Sequence, residues 1–140
     1  AGEPREARFQ ELLGDIALAQ KKPAEALTFY DKAIAMQPDY FKPHVQGGIA
    51  LFNLGRKAEA EKYLAKSNTL LPTAPSHFLL GKMAEERGDL NSAMKNYEVA
   101  AGSNSEIGKQ SSADLMRLDL PQRPSKYLQA GPQADSSGYL

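Results

Sequence analysis

Residues 24–38 read AEALTFYDKAIAMQP, and residues 58–72 read AEAEKYLAKSNTLLP. The alanines, the closing proline and their spacing recur at a shift of 34 residues (72 − 38). A third copy follows one residue short. Gly14, Gly48 and Gly81 stand 34 and 33 apart, and Ala26, Ala60 and Ala93 keep the same steps. So do Tyr30, Leu64 and Tyr97, and so do Ala33, Ser67 and Ala100. Every series loses one residue at its second step, which places the deletion between Pro72 and Gly81, in the loop TAP or beside it. Ser105 stands where a third proline would fall. Separate series that change phase together mark an internal repeat, and a period of this length marks stacked supersecondary units.

Each unit reads as two helices. In the first, FQELLGDIALAQ is followed by the break KKP and then by AEALTFYDKAIAMQP. Phe9, Leu12, Leu13, Ile16 and Ala17 recur at helical spacing. Pro23 suits a first helical turn, where a missing N–H costs nothing. Gly55 and Gly88 mark the turn between helices in the later units, since glycine tolerates a left-handed C-terminal cap. Pro38 and Pro72 close the second helices, and Pro43 and Pro75 fall in first turns. The small pairs Gly14–Ala26, Gly48–Ala60 and Gly81–Ala93 are expected to let the two helices of a unit approach closely. Tyr30, Leu64 and Tyr97 are expected to fill the space between one hairpin and the next. A single hairpin cannot bury its second face, so neighbouring units must stack.

With these residues the chain resembles the tetratricopeptide repeat, a helix–turn–helix unit of about 34 residues with Leu-Gly early, Ala, an aromatic, Ala, and a final Pro. Leu13-Gly14, Ala26, Tyr30, Ala33 and Pro38 carry the match in unit one. Gly48, Ala60, Leu64 and Pro72 carry it in unit two, and Leu80-Gly81, Ala93, Tyr97 and Ala100 in unit three. The resemblance implies an all-α fold, a right-handed α-solenoid of three repeats over about residues 7–40, 41–73 and 74–107. A capping helix is expected over about 104–118, closing a domain of residues 1–118, with an extended or disordered C-terminal tail at 119–140. Ala17, Leu51 and Ala84 replace a frequent tyrosine of the family, and Gln10, His44 and His77 a frequent tryptophan, which implies lighter packing.

The family binds segments of other proteins in a concave groove lined by the first helix of each unit. The positions that resemblance assigns to the groove are Arg8, Glu11, Asp15 and Leu18, then Lys42, Val45, Ile49, Phe52 and Asn53, then Phe78, Lys82, Glu85 and Glu86. One subfamily grips the C-terminal carboxylate of heat-shock chaperones with Lys, Asn and Arg. Here Glu11, Asp15, Gln46, Pro75 and Leu79 stand at those positions, and carboxylates repel such a ligand. Val45, Ile49 and Phe52 instead form one helical stripe. With Phe78 it forms an apolar trough for a partner segment, or a part of the core.

Charge balances at 17 basic and 17 acidic residues, so no strong field gathers nucleic acid or an anionic membrane. There is no cysteine, hence no disulfide or thiolate chemistry. GGIALF is too short an apolar run to insert in a bilayer. His44 and His77 share one repeat position without further ligands nearby, so they are assigned to packing, with no metal. No nucleophile–base constellation appears, and neither catalysis nor a cofactor is expected.

After the third unit, NSEIGKQSSADLMRLDL still reads as helix, with Ile107, Leu115 and Leu118 on one side and Glu106, Lys109, Asp114 and Arg117 on the outer one. Prolines, glycines and serines then dominate, interrupted by Tyr127-Leu128 and Tyr139-Leu140. The stretch LDLPQRPSKYL either docks on the repeats of its own or a neighbouring copy or belongs to a disordered end. The expected function is a non-enzymatic scaffold that binds a protein or peptide segment. Its analogues are bacterial assembly factors of the envelope, pilus, secretion or motility machinery, and exported and cytoplasmic locations both suit the sequence. The alternative is a structural domain that self-associates through repeat edges or tails.

Overall fold

The computed structural model describes residues 4–119. It is an all-α solenoid of helical repeats: α1 (Pro4–Ala19), α2 (Pro23–Met36), α3 (Phe41–Asn53), α4 (Lys57–Leu70), α5 (Ala74–Glu86), α6 (Leu90–Ala101) and α7 (Glu106–Asp119). α1 packs on α2, α3 on α4 and α5 on α6, and each pair stacks on the next. α7 begins two residues later than the expected 104 and runs on through Asp119, which is buried and helical rather than part of an irregular tail. Tyr127-Leu128, Tyr139-Leu140 and the rest of the expected tail lie outside the described residues.

The turns explain the phase of the repeat. Each hairpin is joined by three residues whose middle member is left-handed: Lys21 (φ 63°), Gly55 (φ 79°) and Gly88 (φ 80°). Behind that residue a long backbone bond closes each first helix, Lys22 N–H to Leu18's neighbour Ala17 O, Arg56 to Leu51 and Asp89 to Ala84, all at 2.9 Å. The link between α2 and α3 spans residues 37–40, whereas that between α4 and α5 spans only 71–73, so the missing residue belongs to the second link. There Thr73 takes over as an N-cap, its side chain accepting from Ser76 N–H at 3.3 Å. Unit one alone places a side chain with a Cβ in the left-handed turn. A left-handed L-residue costs roughly 1–2 kcal/mol, partly offset by glycine's larger entropy loss. Lys21→Gly should therefore stabilise the chain by about 0.5–1 kcal/mol. A urea midpoint that falls rather than rises would refute the assignment of strain to this turn.

Packing corrects one expectation. The close approach within each hairpin is glycine against the large residue, not glycine against alanine alone. A Cβ added at Gly14 would lie 2.5 Å from the Tyr30 ring, one at Gly48 2.6 Å from Leu64, and one at Gly81 2.7 Å from Tyr97. Tyr30, Leu64 and Tyr97 thus fill their own hairpins, and all three are fully buried. Contact between hairpins falls to others: Leu27 of α2 and Met83 of α5 both enter the central cluster of Ala50, Leu51, Ala60 and Leu64. α7 covers the third hairpin by setting Leu118 and Leu115 against Ala84, Ala93 and Tyr97.

Two of the three positions of the missing tryptophans are polar ties. His44 is buried, and its Nε2–H donates to the Pro38 carbonyl at 2.9 Å, fastening α3 to the end of the preceding unit. His77 Nδ1 meets Asn96 Oδ1 at 2.9 Å, joining α5 to α6. A second correction concerns α7. Glu106 and Lys109 are exposed as expected, but Asp114 and Arg117 turn towards α5 and pair with Lys82 and Glu85.

Candidate functional site

The first helices of the units form one layer: α1 touches α3, α3 touches α5, and α7 adjoins α5 as a fourth member. Two cavities open on this layer, each of about 330 Å³. The first is lined by Glu11, Phe41, Lys42, Val45, Gln46, Thr73 and Pro75, drawn from α1, α3 and the start of α5. The second is lined by Phe52, Lys82, Glu85, Glu86 and Arg117, from α3, α5 and α7. Val45, Ile49 and Phe52 share one face of α3, so that helix leads from one cavity to the other.

The first cavity ends in a carboxylate network. Tyr40 donates to Glu11 Oε1 at 2.5 Å, and Tyr30 donates to Asp15 Oδ1 at 2.6 Å. Gln46 Nε2 adds a 3.1 Å bond to the same Asp15 oxygen. Burial pushes the Glu11 carboxyl above its ordinary range, and Asp15 one turn away pushes it further, while the Tyr40 bond and the Lys42 charge pull it back. Burial and the neighbouring Glu11 push the Tyr40 hydroxyl up to about 12. Burial, then Asp15, raises Tyr30 as well.

The second cavity ends in an ionic frame supplied by the cap. Arg117 reaches Glu85 at 2.8 Å and holds its carboxyl below the usual range. Tyr97 donates to Glu85 at 2.8 Å, and burial followed by that carboxylate raises the phenol. Lys82 pairs with Asp114 at 3.1 Å and lies over the rings of Phe78 (5.1 Å) and Tyr97 (5.8 Å). Lys57 sits 5.5 Å over Phe52 and bonds Glu86 at 2.7 Å.

A rule links these features. In units one and three the buried tyrosine sends its hydroxyl to a carboxylate on the first helix, Asp15 or Glu85. In unit two the tyrosine is Leu64, and the positions equivalent to Asp15 and Glu85 are Ile49 and Phe52. Hydroxyl and carboxylate disappear together, since a buried donor and its acceptor are costly to leave alone. The result is an apolar middle between a carboxylate-rich end and an end where acids and bases pair.

The residues expected at the site therefore divide. Glu11, Lys42 and Val45 come together in the first cavity, and Phe52 and Lys82 in the second. Asp15 belongs to the carboxylate network, and Ile49 is half-buried on the stripe between the cavities. Val45 is buried, and Phe78 packs on Tyr97 with ring centroids 6.1 Å apart, so both serve packing. Arg8 and Asn53 are exposed and line neither cavity. Sequence reasoning did not place Phe41, Thr73 or Arg117 here, nor Tyr40 beside Glu11. Tyr40 stands just before a helix start, and its counterpart in the next unit is Thr73, which caps its helix and reaches no carboxylate. Among the described residues no three His, Asp or Glu side chains converge as metal ligands, and no helix is long and apolar enough to cross a membrane.

Comparison with known proteins agrees with this architecture. A tetratricopeptide-repeat family model matches residues 17–75. No curated protein matches the sequence. Among solved structures, the Sgt2 TPR domain from Aspergillus fumigatus is similar in fold with a TM-score of 0.74, at 20% identity, over 96% of this chain and 89% of that one. Domains of this fold are typically non-catalytic protein-interaction modules. The family match identifies tetratricopeptide repeats at residues 17–75, and the structural likeness shows the same fold across the chain.

Proposed function

We propose that the chain is a non-enzymatic interaction module whose layer of first helices holds a segment of a partner polypeptide. The observation that carries this reading is the pair of cavities joined by the Val45–Ile49–Phe52 face of α3. Stacked hairpins offer a long, rigid surface suited to an extended or helical segment rather than a small substrate. Apolar side chains of the segment would enter the two cavities. The carboxylates Glu11 and Asp15 favour a basic flank at the first cavity and disfavour a terminal carboxylate there, whereas Glu85 and Glu86 are already paired with Arg117 and Lys57. Arg8, Lys42, Asn53 and Lys82 would set register at the rim, where charge steers more than it binds. Residues 1–118 would act as one binding domain, and bacterial envelope, pilus, secretion or motility assemblies are the setting in which to seek the partner.

The test is capture of partners by the intact chain and by an Ile49→Glu, Phe52→Glu variant, with the single Lys42→Glu change as a milder, exposed probe. Partners held in the groove should bind the double variant at least tenfold more weakly, about 1.4 kcal/mol or more. Thermal melting would verify that each variant stays folded. An unchanged set of captured proteins at unchanged affinity would exclude this surface.

A further inference from the structure

α1 presents an apolar face that no other described helix covers. Phe9, Leu12 and Ile16 fall on one stripe and are 56%, 44% and 56% exposed. The other large exposed apolar side chains among the described residues stand singly: Leu71 in the α4–α5 link, Val99 on α6 and Met116 on α7. The opposite end of the stack is finished differently. α7 turns Leu115 and Leu118 inward and leaves Glu106, Lys109, Gln110 and Ser112 exposed. The outer face of α7 is polar, and that of α1 is apolar.

The pattern of the stripe selects its occupant. The steps from Phe9 to Leu12 and from Leu12 to Ile16 are three and four residues, so the stripe reads almost alike in both directions. An antiparallel copy sets Phe9 against Ile16 of the second copy and brings Leu12 close to the two-fold axis. The same alignment brings the exposed Arg8 beside Asp15 of the second copy on one flank, and Glu6 beside Gln20 on the other. A parallel alignment would set Arg8 beside Leu13 of the second copy and give it no charged partner there. Head-to-tail stacking would press the stripe onto the polar outside of α7. We propose that two copies of this chain pair through α1, antiparallel, in a closed two-fold dimer. None of Phe9, Leu12 and Ile16 lines either cavity, although the flanking Arg8 and Asp15 also border the proposed groove.

The chain has no cysteine, so single introduced thiols report geometry cleanly. Sedimentation of the whole chain should show a concentration-dependent dimer. Leu12→Glu, an exposed change that leaves thermal melting intact, should raise the dissociation constant at least tenfold. Ile49→Glu should leave it unchanged. Under mild oxidation Leu12→Cys should cross-link to itself. Ile16→Cys should not, because the antiparallel alignment separates the two thiols by seven residues, roughly 10 Å along the axis. Mixing Phe9→Cys with Ile16→Cys should restore the cross-link. A chain that stays monomeric at every concentration overturns the proposal. So does a dimer that survives Leu12→Glu, including one lost only on deletion of residues 120–140, and so does equal cross-linking of all thiols.

Discussion

Tyr97→Ala should cost about 3–5 kcal/mol of unfolding free energy, the range for emptying a large buried aromatic site. The ring is fully buried and packs on Phe78, with Ala84, Ala93 and Leu118 in the same cluster. Its only space is the notch that Gly81 leaves, since a Cβ there would stand 2.7 Å from the ring. No neighbour is placed to swing in, because Phe78 is already committed to the ring face and α7 is tied by its ion pairs. Collapse around the cavity is therefore limited, and the loss belongs at the upper part of the range. Tyr97→Phe separates the ring from the hydroxyl. It keeps the packing and removes only the 2.8 Å bond to Glu85, for about 1.5 kcal/mol, since Arg117 continues to satisfy that carboxylate. Urea unfolding of both variants measures the difference. A Tyr97→Ala loss below 1.5 kcal/mol, or equal losses in the two variants, would show that the ring does not hold the third hairpin together.

The positions that governed this argument were readable as letters, though their partners were not. Periodicity located Gly81 and Tyr97, because small and large residues recur wherever two helices must cross. It could not tell which large residue meets which glycine, since that depends on how side chains lean along a helix, not on their spacing. Hence the pairing of Gly14 with Tyr30 replaced the expected pairing with Ala26. The proposed groove was legible in its middle as a helical stripe, since Val45, Ile49 and Phe52 share a face of α3. Its ends were hidden, because they depend on residues that break the repeat. Tyr40 has Thr73 rather than an aromatic as its counterpart in the shorter link, and Arg117 comes from a helix outside the repeats. Phe9, Leu12 and Ile16 show the other limit. Helical spacing states that a face is apolar but not whether another element of the same chain arrives to cover it.

Gly108→Ala should be comparably severe, although it adds only one methyl group. Gly108 lies in the first turn of α7, where its N–H meets Ser105 Oγ at 3.2 Å. A Cβ there would stand 1.8 Å from the Ser103 carbonyl oxygen and 2.8 Å from its carbon. Both atoms are backbone, held in the α6–α7 link by the Ser103 N–H bond to Ala100 O at 3.1 Å. A side chain can rotate away from a methyl group, but a carbonyl can retreat only if the link or the helix moves. Displacing α7 would loosen Leu118 and Leu115 from the third hairpin and pull Asp114 and Arg117 from Lys82 and Glu85. The expected cost is about 3 kcal/mol, the upper end for overpacking a site that cannot relax. Gly102→Ala provides the contrast: its Cβ would lie 3.3 Å from Val99 O, which a small shift relieves, so its cost should stay under about 1 kcal/mol. The expected signature is faster amide exchange confined first to α7 and the Lys82–Glu85 turn of α5. If both alanine variants unfold alike, the cap is not seated by the backbone contact at Gly108, and its ion pairs with α5 must hold it instead.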